Sequence, residues 1–406
     1  MAGQFKERFD VRTFFTSLAL VIVGLISIYS ATYDAGLSDI AFKQMIWAGG
    51  GLVIMLIIAY SPFRLIQFLA YPSYFATILL LISVLLLGRT VSGSQSWFSL
   101  GALRLQPSEF AKLTTALALA TYLSRSDVSL QQLKHLLVAS GIVLLPVVLI
   151  LLQPDTGTAI IYLAMFLPVL YWGGASHFVI VAAIAPPAVG LAALFGTTPF
   201  LIAVLVFGVL LYLTKQNRVL AAMVFSATVL VGVSSQFIYD GLKPYQQKRI
   251  QTFLDPSSAD PRGAGYNVLQ SKVAIGSGGV LGKGYLQGTQ TQLNFIPEQW
   301  TDFIFCVPGE EFGFFGACAV LFLFTALLVR GVHVAAIVKN KFASFLAIAV
   351  VGVFAPHIFI NVGMALGLLP VIGVPLPFLS YGGSALLANV MMVGLLMNLY
   401  ANRKEY

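Results

Sequence analysis

The sequence predicts an all-α fold, a polytopic bundle of transmembrane helices. Three observations predict it. Of 406 residues, 58% are hydrophobic and 9% are charged, where a soluble domain carries about 25% charged residues. The mean hydropathy is +0.90, as expected of a chain whose solvent is mostly lipid. The apolar residues also fall in long runs separated by short polar stretches.

A spanning helix needs about 20 apolar residues. Twelve runs qualify, at roughly 13–31, 41–60, 67–88, 109–124, 136–152, 158–173, 178–195, 198–214, 219–238, 303–329, 343–368 and 378–400. The first is long for a signal-peptide core and reads as a retained span. The whole chain, 1–406, reads as one integral membrane domain, with no internal repeat, low-complexity segment or soluble appendage.

Lys and Arg set the orientation. With both termini inside, 13 of the 23 Lys and Arg fall in inside segments, among them Lys6, Arg8, Arg12, Arg403 and Lys404. Short loops rich in cations belong on the cytoplasmic side. The net charge of +8 forms no stripe or tail, which excludes a nucleic-acid partner. The outside segments are 89–108, 153–158, 369–377 and a long loop, 239–302. The long loop holds Lys243, Lys248, Arg249, Arg262, Lys272 and Lys283. Long loops cross regardless of charge; an anionic substrate on that face is the other explanation. The Gly-rich stretch Ala274–Tyr285 reads either as a re-entrant segment or as backbone that cradles phosphate.

Cys306 and Cys318, twelve residues apart in one apolar run, would lie about 18 Å apart on one helix, too far for a disulfide. His135, His177, His333 and His357 show no metal-ligand spacing. His357, after Pro356 within a span, reads as a helix–helix hydrogen bond.

A charge at membrane depth costs roughly 2.5–3.5 kcal/mol on insertion scales, so each needs a reason. Glu109 and Lys112 follow the helix start Pro107-Ser108 and face one another across one turn. They read as a structural ion pair or as a lysine aimed at an anionic ligand; Lys43 is a competing partner for Glu109. Asp155, in Gln153-Pro154-Asp155-Thr156-Gly157-Thr158, caps a helix or acts as a carboxylate on the outer face. Asp302 stands where the long loop enters an apolar run. Partial desolvation there suits a general base, and a carboxylate beside cations also suits a divalent metal on phosphate. On a straight helix Glu310 and Glu311 would lie about 80° and 180° round from Asp302.

At these residues the sequence resembles the SEDS family. The matching text includes Trp97-Phe98-Ser99-Leu100-Gly101, Arg104-Leu105-Gln106-Pro107-Ser108-Glu109, Gln153-Pro154-Asp155 and Asp255-Pro256. It continues with Gly263-Ala264-Gly265-Tyr266-Asn267, the run Gln270–Gly279, Thr301-Asp302-Phe303-Ile304-Phe305 and Leu379-Ser380-Tyr381-Gly382-Gly383-Ser384. Gly282–Leu293 and Leu369–Pro377 read as the elongation type of the family rather than the division type.

The resemblance implies a peptidoglycan glycosyltransferase of cell elongation on the outer face of the cytoplasmic membrane. Its substrate would be lipid II, with undecaprenyl diphosphate leaving. Position by position, Asp302 matches the essential aspartate. Trp97, Arg104, Gln106, Glu109, Lys112 and Asp155 match positions tied to activity or integrity, and Lys272 and Lys283 join them as candidate substrate-binding cations. The resemblance further implies a divalent cation (Mg or Mn), with Asp302 as its candidate ligand. The implied partners are a class B penicillin-binding protein and other elongation-complex proteins. Two departures stand out. Ser96 occupies a position where many relatives have Arg. The family core has ten spans against the twelve runs counted here, which implies either an extra helical pair within 178–238 or a re-entrant run. A lipid II flippase and a non-catalytic scaffold are the rival functions.

Overall fold

A computed structural model describes residues 9–404 except 35, 92–93, 101–102, 243, 255–263, 294 and 298. The motif residues Gly101, Asp255, Pro256 and Gly263, and the cations Lys6, Arg8, Lys243 and Arg262, lie outside the described residues.

Among the described residues, nine helices precede the long loop. They are α1 (Val11–Tyr33), α2 (Ser38–Tyr60), α3 (Phe63–Leu87), α4 (Pro107–Leu123), α5 (Leu133–Leu152), α6 (Thr156–Trp172), α7 (His177–Leu194), α8 (Thr197–Leu213) and α9 (Arg218–Val233). The loop and its two flanks carry the short helices α10 (Ser235–Asp240), α11 (Pro244–Leu254), α12 (Ala264–Ser277), α13 (Thr289–Gln292) and α14 (Cys306–Glu311). Three long helices close the chain: α15 (Gly313–Ile337), α16 (Lys341–Ala365) and α17 (Gly383–Ala401). Each of the twelve apolar runs therefore carries a long helix. Eight are long and apolar enough to cross a membrane, and α6, α8 and α9 are shorter apolar helices.

Boundaries differ from expectation at several runs. In 219–238, α9 stops at Val233 and Ser235–Asp240 is a separate short helix. The run 303–329 is not one helix. Gly313, at φ +63°, ends α14 and starts α15 in a new direction, because a left-handed residue cannot continue an α-helix. Cys306 and Cys318 thus sit on different helices, both as free thiols. The last span begins at Gly383 rather than 378, because Pro377–Gly382 is a loop.

Burial sorts the bundle into centre and rim. In the most apolar window of α16, 67% of residues are buried, and in α17 72%, against 17% in α7. Glycine sets the close approaches. A Cβ on Gly394 of α17 would lie 2.7 Å from the Met55 carbonyl of α2, and one on Gly352 of α16 2.9 Å from the Met165 carbonyl of α6. Asn398 of α17 donates to the carbonyls of Ile58 (3.0 Å), Ala59 (3.2 Å) and Ser61 (2.7 Å), which closes the end of α2. At the same end Arg330 of α15 grips buried Asp10 at 2.9–3.2 Å, and Asp10 also caps α1 through Thr13. Helices α7, α8 and α9 pack chiefly on one another, and the group joins the rest through α6 and the short helix α10.

The opposite end, called here the loop face, is not all-helical. Between α3 and α4 the chain forms a small antiparallel sheet of β1 (Arg89–Val91), β2 (Ser94–Leu100) and β3 (Leu103–Leu105) in that order. Arg89 pairs with Trp97, and Ser99 with Arg104. The Gln95 amide donates to the Gln153 carbonyl at 3.2 Å and pins the sheet to the α5–α6 turn.

Candidate active site

The site forms where two loops and two helix starts meet. Residues 300–302 lie in a turn ahead of α14, and the loop 369–382 lies beside them. The Tyr381 amide donates to the Trp300 carbonyl (2.8 Å), and the Ser380 hydroxyl to the Thr301 carbonyl (2.6 Å). Asn361, on α16, donates to the Asp302 carbonyl (2.9 Å) and the Val374 carbonyl (2.8 Å). Such main-chain carbonyls need partners wherever water is excluded.

Asp302 is half-buried and lies in this turn, not on a helix, so the angular argument about Glu310 and Glu311 does not apply. Its carboxylate points at Gly373: a Cβ there would lie 3.5 Å from Asp302 Oδ2 and 3.9 Å from Arg249 Nη1. Gly373 has φ +72°, which favours glycine. Asp302 and Arg249 therefore converge on one point of the loop face. Arg249 comes from α11, whose Phe253 meets Phe195 edge-on at 5.8 Å beyond the end of α7.

A second cluster lies at the start of α4. Lys112 is fully buried, and its Nζ contacts Glu109 at 3.0 and 2.9 Å. Glu109 pairs with Lys112, not with Lys43. Lys112 Nζ also meets His357 Nε2 at 2.9 Å, and His357 Nδ1 donates to the Pro375 carbonyl at 3.0 Å. Asp155 caps α6, accepting from the Thr158 amide (3.0 Å) and hydroxyl (2.9 Å), and it accepts from the Gln106 side chain at 3.2 Å. Burial pushes the Asp155 carboxyl above its ordinary value; Glu109 adds to the rise and Lys112 opposes it. Two residues into α6, a Cβ on Gly157 would lie 2.8 Å from the Ile372 carbonyl. Residues 372–375 thus run over both clusters.

The other candidates are placed as follows. The Gln106 amide donates to Ser384 Oγ (3.2 Å), and Ser384 Oγ donates to the Arg104 carbonyl (3.0 Å), so the start of α17 holds β3. The Arg104 side chain is exposed and Trp97 is half-buried. Ser96 is buried and bonds Ser94 at 2.8 Å. Lys272 is exposed on α12, its stem 3.0 Å from a Cβ on Gly367 just beyond α16.

Lys283 stands apart. It pairs with fully buried Glu310 at 2.7 Å, while Glu310 also accepts from the Gln290 (2.9 Å) and Thr291 (3.0 Å) amides. Glu311 bonds Ser30 and Gln292. The Gly-rich stretch is no phosphate cradle at these amides: Lys283 N donates to the Glu310 carbonyl (3.1 Å) and Gly284 N to that of Glu311 (3.0 Å). Gly278 and Gly282 permit the approach, since a Cβ on either would strike the α14 backbone.

Sequence reasoning did not single out Asn361, Ser380 or Ser384 as functional, and it counted Arg249 only as one loop cation. An uncharged amide inside a span was the available signal for Asn361.

These features define a polytopic membrane protein with a half-buried carboxylate, Asp302, in a turn of its loop face. The chain belongs to the cell cycle protein family of FtsW, RodA and SpoVE, the SEDS family, whose profile matches residues 11–197 and 193–405. It is 36% identical over 400 residues to the peptidoglycan glycosyltransferase MrdB of Escherichia coli (strain K12), covering 98% of this chain and 95% of that one. It is 36% identical over 429 residues to the peptidoglycan glycosyltransferase RodA of Treponema pallidum, covering 97% and 98%. A chain from a solved structure on polymerization and crosslinking by a peptidoglycan synthase complex superposes with TM-score 0.75 at 29% identity, covering 98% and 99%. Within the family the chain stands with the RodA type rather than the FtsW type, as the text at Gly282–Leu293 and Leu369–Pro377 had indicated.

Proposed function

We propose that this chain is a peptidoglycan glycosyltransferase that polymerises lipid II during cell elongation, on the outer face of the cytoplasmic membrane with both termini inside. Likeness to MrdB and RodA over nearly the whole chain supports the activity. The observation that carries the site is the convergence of Asp302 and Arg249 on Gly373.

In the reaction a sugar hydroxyl attacks the anomeric carbon of a lipid-linked chain. The C–O bond to undecaprenyl diphosphate breaks, and the diphosphate leaves with the electron pair. The Asp302 carboxylate receives the hydroxyl proton, and the Arg249 guanidinium, a planar fork suited to phosphate oxygens, stands beside it. Exposed Lys272 adds charge to the same face. Trp97, Arg104 and Gln106 belong to the sheet and helix start that border the site. Glu109, Lys112 and Asp155 lie beneath and support it rather than meet the sugar.

A divalent cation (Mg or Mn) is compatible with this arrangement in one form. Among the described residues no three His, Cys, Asp or Glu side chains gather around a point. Asp302 would be the protein carboxylate, with diphosphate oxygens and water completing the shell, as magnesium favours. Bound there, the ion would neutralise the leaving diphosphate.

A class B penicillin-binding protein as transpeptidase partner, with other elongation-complex proteins, is supported by the likeness to a chain of a synthase that couples polymerization with crosslinking. The test is glycan synthesis by the purified complex supplied with lipid II and a divalent cation. Polymer from wild type and none from folded Asp302→Asn is expected. Lipid II translocation without polymer would mark a flippase, and partner stimulation without polymer a scaffold.

A further inference from the structure

We propose that His357 is a positioning residue for Asp302, linking the buried Glu109–Lys112 pair to the loop strand that carries the reaction centre. The inference rests on the functional reading above.

The ring is bonded at both nitrogens, to two different elements. The Pro375 carbonyl can only accept, so Nδ1 carries the hydrogen of that 3.0 Å bond. In the neutral ring Nε2 then only accepts, which matches the Lys112 ammonium at 2.9 Å. The tautomer is set by its two partners. An ammonium on one side and a carbonyl on the other leave the ring one orientation, and the ring is 4% exposed, so water does not compete.

The next turn of α16 shows where this leads. Asn361 is four residues on, on the same face of the helix, and binds both the Val374 and Asp302 carbonyls. Two successive turns of one helix thus hold adjacent residues of the loop strand, Val374 by Asn361 and Pro375 by His357. Gly373, the neighbour on which Asp302 and Arg249 converge, is fixed between this anchor and Gly157, which packs under Ile372. The charged groups facing the ring are Lys112 and, through it, Glu109. A helix–helix hydrogen bond alone would need one ring nitrogen; the second bond, to the loop, assigns the positioning role.

The experiment compares His357→Leu, His357→Asn and His357→Gln in the full-length protein with its partner. The glutamine amide can accept from Lys112 and donate to Pro375; the shorter asparagine reaches one of them. A displacement of about 1 Å at a reacting group costs on the order of 100-fold. We therefore expect His357→Leu to lower kcat by about 10- to 100-fold with KM within about threefold, and His357→Gln to restore it to within about threefold. Hydrogen exchange of residues 371–377 should quicken in Leu and Asn and stay at the wild-type rate in Gln. A His357→Leu enzyme with wild-type kcat, or unchanged exchange in Leu and Asn, would overturn the proposal. If Leu does not fold, the Asn and Gln variants decide it: equal kcat and equal exchange reject the role. Absence of polymer from wild type would count against the glycosyltransferase reading alone, and the exchange rates would still decide the positioning role.

Discussion

The Asn361 side chain reaches the main-chain carbonyl of Asp302 at 2.9 Å and that of Val374 at 2.8 Å from a single amide nitrogen. The turn that carries the carboxylate and the loop opposite it therefore share one anchor in α16.

Replacing Asn361 by Leu takes a buried donor away from both carbonyls, at about 1–3 kcal/mol for each lost hydrogen bond. Polymerisation should fall by about 10-fold or more. Steady-state kinetics on the purified complex would show the loss in kcat. An unchanged kcat would mean that this anchor does not orient Asp302.

Lys283 should behave as a structural residue rather than a substrate contact. Removing one partner of a buried ion pair costs about 3–5 kcal/mol; Lys283 keeps some exposure, so Lys283→Met should sit below that range. Glu310→Ala, which strips a fully buried carboxylate from two amides and a lysine, should reach it. Thermal unfolding in detergent gives the ranking, and KM for lipid II should stay near wild type in folded Lys283→Met.

Asp155 predicts a slope of stability with pH. Its folded carboxyl is raised from the ordinary 3.8, so the folded state binds a proton that the unfolded state has released. Its favourable contribution is full below 3.8 and is lost as pH rises through the folded value. Asp155→Asn keeps the cap, because Asn is as good an N-cap as Asp, and removes the titration. Unfolding temperatures measured from acid toward neutral pH should fall more steeply for wild type than for Asp155→Asn. Parallel curves would contradict the assignment.

At the other end of the bundle, Arg330→Met leaves Asp10, 2% exposed, without its cation. A loss of about 3 kcal/mol is expected. Asp10→Asn keeps the α1 cap and should lose less. Denaturation of the two variants side by side would check the order.

Much of this was readable from the chain. Long helices follow from long apolar runs, because lipid admits no other open backbone. The Glu109–Lys112 pair follows from spacing on one turn, and the Asp155 cap from a Pro-Asp-Thr-Gly turn. The rest depends on contacts between distant segments. Hydropathy reads Phe303 to Val329 as continuous, since a positive φ at Gly313 leaves no apolar signature. The glycines near Gly282 suggested phosphate because a glycine that admits a backbone and one that admits a ligand look alike in sequence. Lys283 read as a substrate cation because its partner, Glu310, lies 27 residues on. His357 read as a contact between helices, while its second bond, to Pro375, appears only once the loop is folded back over α16.

Gly24 of α1 lies so close to the backbone of Phe378 and Leu379 that it has no room for a side chain. The chain just before α17 is thus sunk among the helices instead of resting on top of them, and its polar atoms are met by Gln44, Trp300 and Ser380. A wedge seated this way moves only if the surrounding bundle moves. Peptide tags inserted at the Lys215–Asn217 turn should therefore be tolerated, whereas the same tag after Phe378 should split the bundle apart.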